Sequence, residues 1–285
     1  MKVRDIQIRD PFVLAVPDDR VYYLFGSTDP NVWTGPGIGF DCYRSIDLDE
    51  WEGPITAFRP PSGFWSTGSF WAPEVYRVGD GWFMFATFLG EDGHRGTQVL
   101  RGPSAEGPYQ PWSDGAITPK DWQCLDGTLY IDETGPWLVF CHEYVQCGDG
   151  EVCAVRLTDD LRDVVGEVSL LFRASEAAWA SDVHVTDGPF LHRSPDGQLL
   201  MLWSSMGARG YAMGLARSAS GSVLGPWVQE DEPIWSDDGG HGMVFRSFDG
   251  QLYLTLHAPN QTPYERAVFV PLVEVGAHLR TAKTA

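Results

Sequence analysis

The sequence predicts an all-β fold, a five-bladed β-propeller forming a single domain over residues 1–285. Three observations carry this reading. One unit recurs from end to end, its copies are spaced like blades of four short strands, and Gly and Pro punctuate the chain at short intervals, as tight turns between strands require. The clearest copy is Thr186-Asp187-Gly188-Pro189-Phe190-Leu191, followed by the turn Ser194-Pro195-Asp196-Gly197 and the apolar run Leu199 to Ser205. First strands of this kind stand at Asp10 to Leu14, Ala72 to Tyr76, Leu125 to Leu129, Asp187 to Leu191 and His241 to Phe245. Second strands begin near Tyr22, Trp82, Trp137, Leu199 and Leu252, at steps of 60, 55, 62 and 53 residues. Helical solenoid repeats do not fit that pattern.

Taken in order, blade one runs from Asp10 through Tyr22 to Cys42-Tyr43-Arg44-Ser45 and Trp51-Glu52-Gly53-Pro54. Its closing piece, a strand with Arg and a short spacer before Gly-Pro, returns as Leu100-Arg101-Gly102-Pro103 with Gly107-Pro108-Tyr109. It returns again as Ala216-Arg217-Ser218 with Gly225-Pro226-Trp227, and more loosely at Val155 to Leu161. These are third and fourth strands of separate blades. The stretches Phe58 to Phe70 and Trp33 to Phe40 read as surface loops of the kind that shape a ligand cleft over a rigid scaffold. Val3 to Ile8 reads as an extra strand closing the ring, and Arg280 to Ala285 as a fraying tail.

A formal charge of −19 argues against partners that present phosphate, so neither nucleic acid nor an anionic membrane surface is expected, and a neutral ligand is. The N-terminus carries charge where a secretory signal places its apolar core, which makes a cytoplasmic protein the expectation. Five cysteines form an odd set with no Cys-x-x-Cys, so reduced and mostly buried thiols are expected. The run of Cys141 and His142 with Cys147 and Cys153 falls short of a zinc pattern.

The innermost strands of a propeller aim the same end at the central axis, so equivalent positions converge on one mouth. Counted along the repeat, those positions hold Asp10, Glu74, Asp126, Asp187 and His241. One Asp beside Gly or Pro is ordinarily a turn former. Four acidic groups in five equivalent places instead form the arrangement that acid–base catalysis uses, because clustered carboxylates push their pKa values apart; metal binding would need the same residues.

Ile8-Arg9-Asp10-Pro11-Phe12, Phe70-Trp71-Ala72-Pro73-Glu74-Val75, Leu125-Asp126-Gly127-Thr128-Leu129-Tyr130, Asp187-Gly188-Pro189-Phe190-Leu191 and Gly240-His241-Gly242 together resemble the five-bladed propeller glycosidases of glycoside hydrolase family 43, over nearly the whole chain. The resemblance implies an inverting hydrolase of arabinofuranosides or xylosides, with Asp10 as general base, Asp126 as the group that raises the acid's pKa, and Asp187 as general acid. It implies a carbohydrate substrate and no cofactor for the chemistry, and places His241 near an axial water or calcium ion. Two departures stand out. The family's pattern has Glu before Gly-Pro where this chain has Asp187, and its Trp-Ala-Pro more often continues with Asp where this chain has Glu74. An acid shorter by one methylene must be brought closer by its backbone, or Glu143 or Asp182 donates the proton instead.

Beside these, Trp71 offers an indole face for the apolar side of a pentose, its other reading being a core residue between blades. Glu74, His241 and Arg266 are the remaining candidates for substrate contact, whereas His142 and His257, at the ends of second strands, read as structural histidines. Two rival functions are a carbohydrate-binding propeller without catalysis, in which Asp187 marks a lost acid, and a retaining fructan-type furanosidase. The second would bring a β-sandwich domain for which the chain has no residues.

Overall fold

The computed structural model describes residues 1–276 and 278–282. Five four-stranded antiparallel sheets follow one another along the chain, each in simple sequential order, and give the five-bladed propeller. Their inner, second, third and outer strands are, in blade one, Arg9–Val16, Val21–Ser27, Phe40–Ser45 and Glu52–Phe58. Blade two has Ser66–Val78, Gly81–Gly90, Arg95–Gly102 and Gln110–Pro111, and blade three Cys124–Asp132, Gly135–His142, Glu151–Leu157 and Val164–Arg173. Blade four has Asp187–Arg193, Leu199–Gly207, Gly210–Ser218 and Trp227–Gln229, and blade five Gly240–Arg246, Leu252–Ala258, Arg266–Val275 and His278–Thr281. The helical segments among the described residues are the short turns Val3–Asp5, Tyr144–Cys147 and Ala174–Glu176, none of them able to cross a membrane.

The repeat found in the sequence has a physical basis at both ends of each blade. The Ser-x-Asp-Gly turns close in the same way in blades four and five: the Gly197 N–H donates to the Ser194 carbonyl at 2.9 Å and the Gly250 N–H to that of Ser247 at 2.9 Å. At the outer edge of blades two and four, the aromatic residue after Gly-Pro folds back on its own turn, Tyr109 Oη donating to the Ala105 carbonyl at 2.7 Å and Trp227 Nε1 to that of Val223 at 2.8 Å. Between blades the sheets bury apolar faces against each other, with Tyr22 against Phe245 between blades five and one and Leu202, Met213 and Leu254 between blades four and five. All five cysteines are free thiols, and four of them are buried.

Three expectations are corrected. Val3 to Ile8 adds no strand: it makes a 3-10 turn and a single bridge, Gln7 to Arg266, and the ring closes instead through Tyr22 stacked on Phe248 at 4.1 Å and the Ile8 N–H on the Glu265 carbonyl. Phe58 to Phe70 is a surface loop only in part: residues 59–65 lie between strands with Pro61, Ser62 and Gly63 exposed, but Phe58 and Phe70 are fully buried strand residues, and Phe64 packs on both and on Phe88. Arg280 and Thr281 pair with Val273 and Leu272 in the outer strand of blade five, while 283–285 lie outside the described residues.

Candidate functional site

Each inner strand breaks register at the same place, opposite its second strand, and the residue in the break has a left-handed backbone: Asp10 (φ 52°), Ala72 (47°), Asp126 (57°), Gly188 (53°) and His241 (43°). Four of the five are not glycine, and such bulges persist only where the surroundings hold them. They are held by a side chain from the second strand of the preceding blade. The N–H of Ala72 donates to Ser27 Oγ at 2.9 Å, that of Asp126 to Thr87 Oγ1 at 2.8 Å, that of His241 to Ser204 Oγ at 2.8 Å and that of Asp10 to His257 Nδ1 at 3.1 Å. Blade three places Cys141 at the corresponding position, and there the Gly188 N–H is taken by the Asp126 carboxylate at 3.0 Å. Only glycine fits at 188, since a Cβ would stand 2.6 Å from the His241 ring.

The bulges give the mouth of the propeller two tiers of side chains. Asp10, Asp126 and His241 come from the bulged residues, and Arg9, Trp71, Leu125 and Asp187 from the residues just before them; all seven line one cavity of about 330 Å³. Five of the seven residues expected at the site, Asp10, Trp71, Asp126, Asp187 and His241, are therefore brought together. Glu74 is not among them. It lies two residues past the bulge, in the tier of Phe12, Thr128, Phe190 and Met243, where it accepts from Tyr76 and sits beside Thr128 below the cavity. Burial there pushes its carboxyl up to about 7. Every inner strand carries the bulge, so the bulge does not set Glu74 apart; matching Pro73 to Pro11 puts Ala72, not Glu74, in the place of Asp10.

Arg266 is also elsewhere, its guanidinium donating to the carbonyls of Arg4, Pro263 and Glu265. The cations at the cavity are Arg9 and Arg95. Arg9 pairs with the buried Glu265 at 2.9 Å and lies over Trp33, 4.8 Å from its ring; Arg95 pairs with Glu143 at 2.9 Å and lies over Trp71 at 4.7 Å. The Trp33 to Phe40 segment does reach the cavity, through Trp33. Trp71 Nε1 donates to the Val32 carbonyl at 2.7 Å and Trp33 Nε1 to Thr262 Oγ1 at 2.9 Å, so this segment ties blade two to blade five. Sequence reasoning missed Arg9, Arg95, Tyr211 and Asn260; of these only Arg9, the neighbour of Asp10, stands in a recurring motif.

The electrostatics separate the carboxyls. Burial alone would raise Asp10, but His241 (Nδ1 at 3.2 Å from Oδ1), Arg9 and the Ser27 hydroxyl (2.6 Å to Oδ2) outweigh it and hold Asp10 below the usual carboxylate range. Asp187 goes the other way, pushed up to about 7 by burial and then by the charge of Asp126, although Tyr211 Oη donates to it at 2.8 Å. Asp126 is itself raised well above normal by burial and by Asp10. Glu143 lines the cavity and is raised by burial against the opposing charge of Arg95, whereas Asp182 sits in an exposed turn away from it.

Among the described residues no three His, Cys, Asp or Glu ligand atoms converge beside His241, where the carboxylates of Asp10 and Asp126 face Nδ1, so a calcium ion there, which takes six to eight oxygens, would be held chiefly through water. The group of His, Cys and Glu with metal-ligand spacing among the described residues is His142, Cys147 and Glu151, without Cys141 or Cys153. Its atoms already have partners: His142 contacts Glu151 and Gln146, Cys147 donates to carbonyls, and Glu151 also takes Arg173. His142 lies outside the cavity, stacked on Trp122, and His257 is fully buried behind Asp10.

No curated protein matches the chain, but solved structures do. An endo-arabinase from Bacteroides thetaiotaomicron is 43% identical with a TM-score of 0.88, over 96% of this chain and 97% of that one. A thermostable family-43 glycoside hydrolase is 24% identical with a TM-score of 0.82, over 96% of this chain and 92% of that one. An α-L-arabinofuranosidase from Lactobacillus brevis is 19% identical with a TM-score of 0.75, over 96% and 95%. The model of glycosyl hydrolases family 43 matches residues 3–277, and the chain belongs to that family.

Proposed function

We propose that this glycoside hydrolase cleaves arabinofuranosyl linkages of arabinose-containing oligo- and polysaccharides by single displacement, with Asp10 as general base and Asp187 as general acid. The observation that carries the reading is the opposite displacement of two carboxyls in one cavity, Asp10 held low and Asp187 raised to about 7, which suits one to accept a proton and the other to deliver one. Asp10 takes a proton from a water as that water attacks the anomeric carbon, and the bond to the leaving oxygen breaks as Asp187 protonates it. Inversion needs the two carboxyls roughly 6.5–9.5 Å apart, with the water between base and sugar. Asp126 and Asp187 titrate as a coupled pair, so a charge on one keeps the proton on the other, and through the Gly188 N–H Asp126 fixes the strand that carries Asp187. Trp71 and Trp33, edge to face at 5.6 Å, offer apolar surface to a pentose ring.

Arabinose is preferred over xylose as the glycone because the 43% identical structure is that of an endo-arabinase. Purified protein is expected to hydrolyse an aryl α-L-arabinofuranoside faster than the matching β-xyloside, measured by phenolate release. The reverse order would move the specificity to xylosides, and binding of either sugar without turnover would support the non-catalytic propeller.

A further inference from the structure

The cavity holds an amide whose orientation is fixed from behind. The Asp10 N–H can only donate, so His257 Nδ1 at 3.1 Å is its acceptor and carries a lone pair. The imidazole is fully buried, and burial pushes it down to about 4, so at neutral pH its single proton is on Nε2. That nitrogen lies 3.2 Å from Asn260 Oδ1, and Arg9 Nη2 donates to the same oxygen at 2.9 Å. Turning the amide over would set its NH₂ against two N–H donors, so Oδ1 faces His257 and Arg9 and the NH₂ faces away from them. Among the described residues no acceptor takes Nδ2, and Asn260 lines the cavity beside Arg9 and Asp10. Its backbone is also held, the N–H donating to the Asp238 carbonyl at 3.1 Å and lying 3.3 Å from the Asp238 carboxylate.

We infer that the Asn260 amide is a specificity-determining donor for the hydrolysed sugar, its NH₂ reading one hydroxyl oxygen of the residue seated beside Asp10. The assignment rests on the glycosidase reading above. The ligand chemistry is that of a neutral glycone: a hydroxyl oxygen accepts from Nδ2, whereas a uronic acid carboxylate would meet Asp10, Asp126, Asp187 and Glu143 around the same cavity. Because Arg9 and His257 have already ordered the amide, little entropy is lost when the sugar binds.

The test is a cycle of kcat/KM on an aryl α-L-arabinofuranoside and its 2-, 3- and 5-deoxy analogues, with wild type, Asn260→Ala and Asn260→Asp. Asn260→Asp keeps an oxygen for Arg9 and His257 and replaces the NH₂ donor by an acceptor oxygen, so it tests the loss of the donor if the alanine variant is unstable, with Tm as the control for its added charge. Both variants are expected to lose about 10- to 100-fold on the parent glycoside. For one deoxy analogue, wild type already shows that loss and the variants add none. Unchanged activity of the variants on the parent, or losses that multiply for all three analogues, overturns the assignment while leaving the glycosidase reading standing. Hydrolysis of no arabinofuranoside by wild type overturns that reading and this assignment with it.

Discussion

Asp10→Asn is expected to lower kcat by ~10²-fold or more, the usual scale of a general base, while leaving the fold intact. Asparagine is the informative replacement because Asp10 sits at φ 52°, a conformation that Asn adopts readily and Ala does not. Asn can still accept from Ser27, whose hydroxyl lies 2.6 Å from Oδ2, so the neighbouring bulge at Ala72, held by the same hydroxyl, is left in place. An alanine variant would mix lost chemistry with backbone strain. Steady-state kinetics at the optimum pH, with Tm as the control, read the effect; turnover near wild type would take Asp10 out of the mechanism.

Asp187→Ala is expected to cost ~10²–10⁴-fold on natural linkages and far less on activated aryl glycosides, whose leaving groups depart with little protonation. The wild-type pH profile carries the same assignment. A general acid must hold its proton, so kcat/KM should fall as pH rises through about 7, where burial and Asp126 have placed Asp187. The acidic limb belongs to Asp10, which must be ionised, and it lies low because His241, Arg9 and Ser27 overcome the effect of burial. Asp126→Asn removes a negative neighbour from a coupled pair, so the remaining acid loses its proton earlier and the alkaline limb moves to lower pH. Equal losses of the Asp187→Ala variant on both substrate types would mean structural damage. No loss on either would hand the proton to Glu143, the other raised carboxyl at the cavity; Asp182 is exposed and away from it.

How far the sequence could be read depended on whether a residue belongs to the repeat. The inner strands were legible because Asp10, Asp126, Asp187 and His241 stand near turns that recur at blade spacing, and the propeller carries them to one mouth. Glu74 was placed wrongly by the same reasoning. Matching Pro73 to Pro11 puts Ala72 in the place of Asp10, so Glu74 stands two residues further on, in the tier of Phe12 and Phe190. Asp187 stands one position before the bulge, yet it still reaches the cavity because the residue just before a bulge, as with Arg9, Trp71 and Leu125, lines it too. The cations were beyond the pattern. Arg95 comes from a third strand and Asn260 from the connection after the second strand of blade five, and only tertiary packing shows that Arg95 meets Trp71 while Arg266 is spent on backbone carbonyls. Phe58 to Phe70 has the composition of a loop, but its aromatics find one another in the folded chain.

The central claim, single displacement between Asp10 and Asp187, is tested most directly by the anomer first released. Early-time ¹H NMR of an α-L-arabinofuranoside digest, recorded before mutarotation, should show the β anomer of arabinose as the initial product, because water enters opposite the departing oxygen. Initial release of the α anomer would mean retention, with a covalent glycosyl intermediate in place of the base-activated water, and would contradict the account.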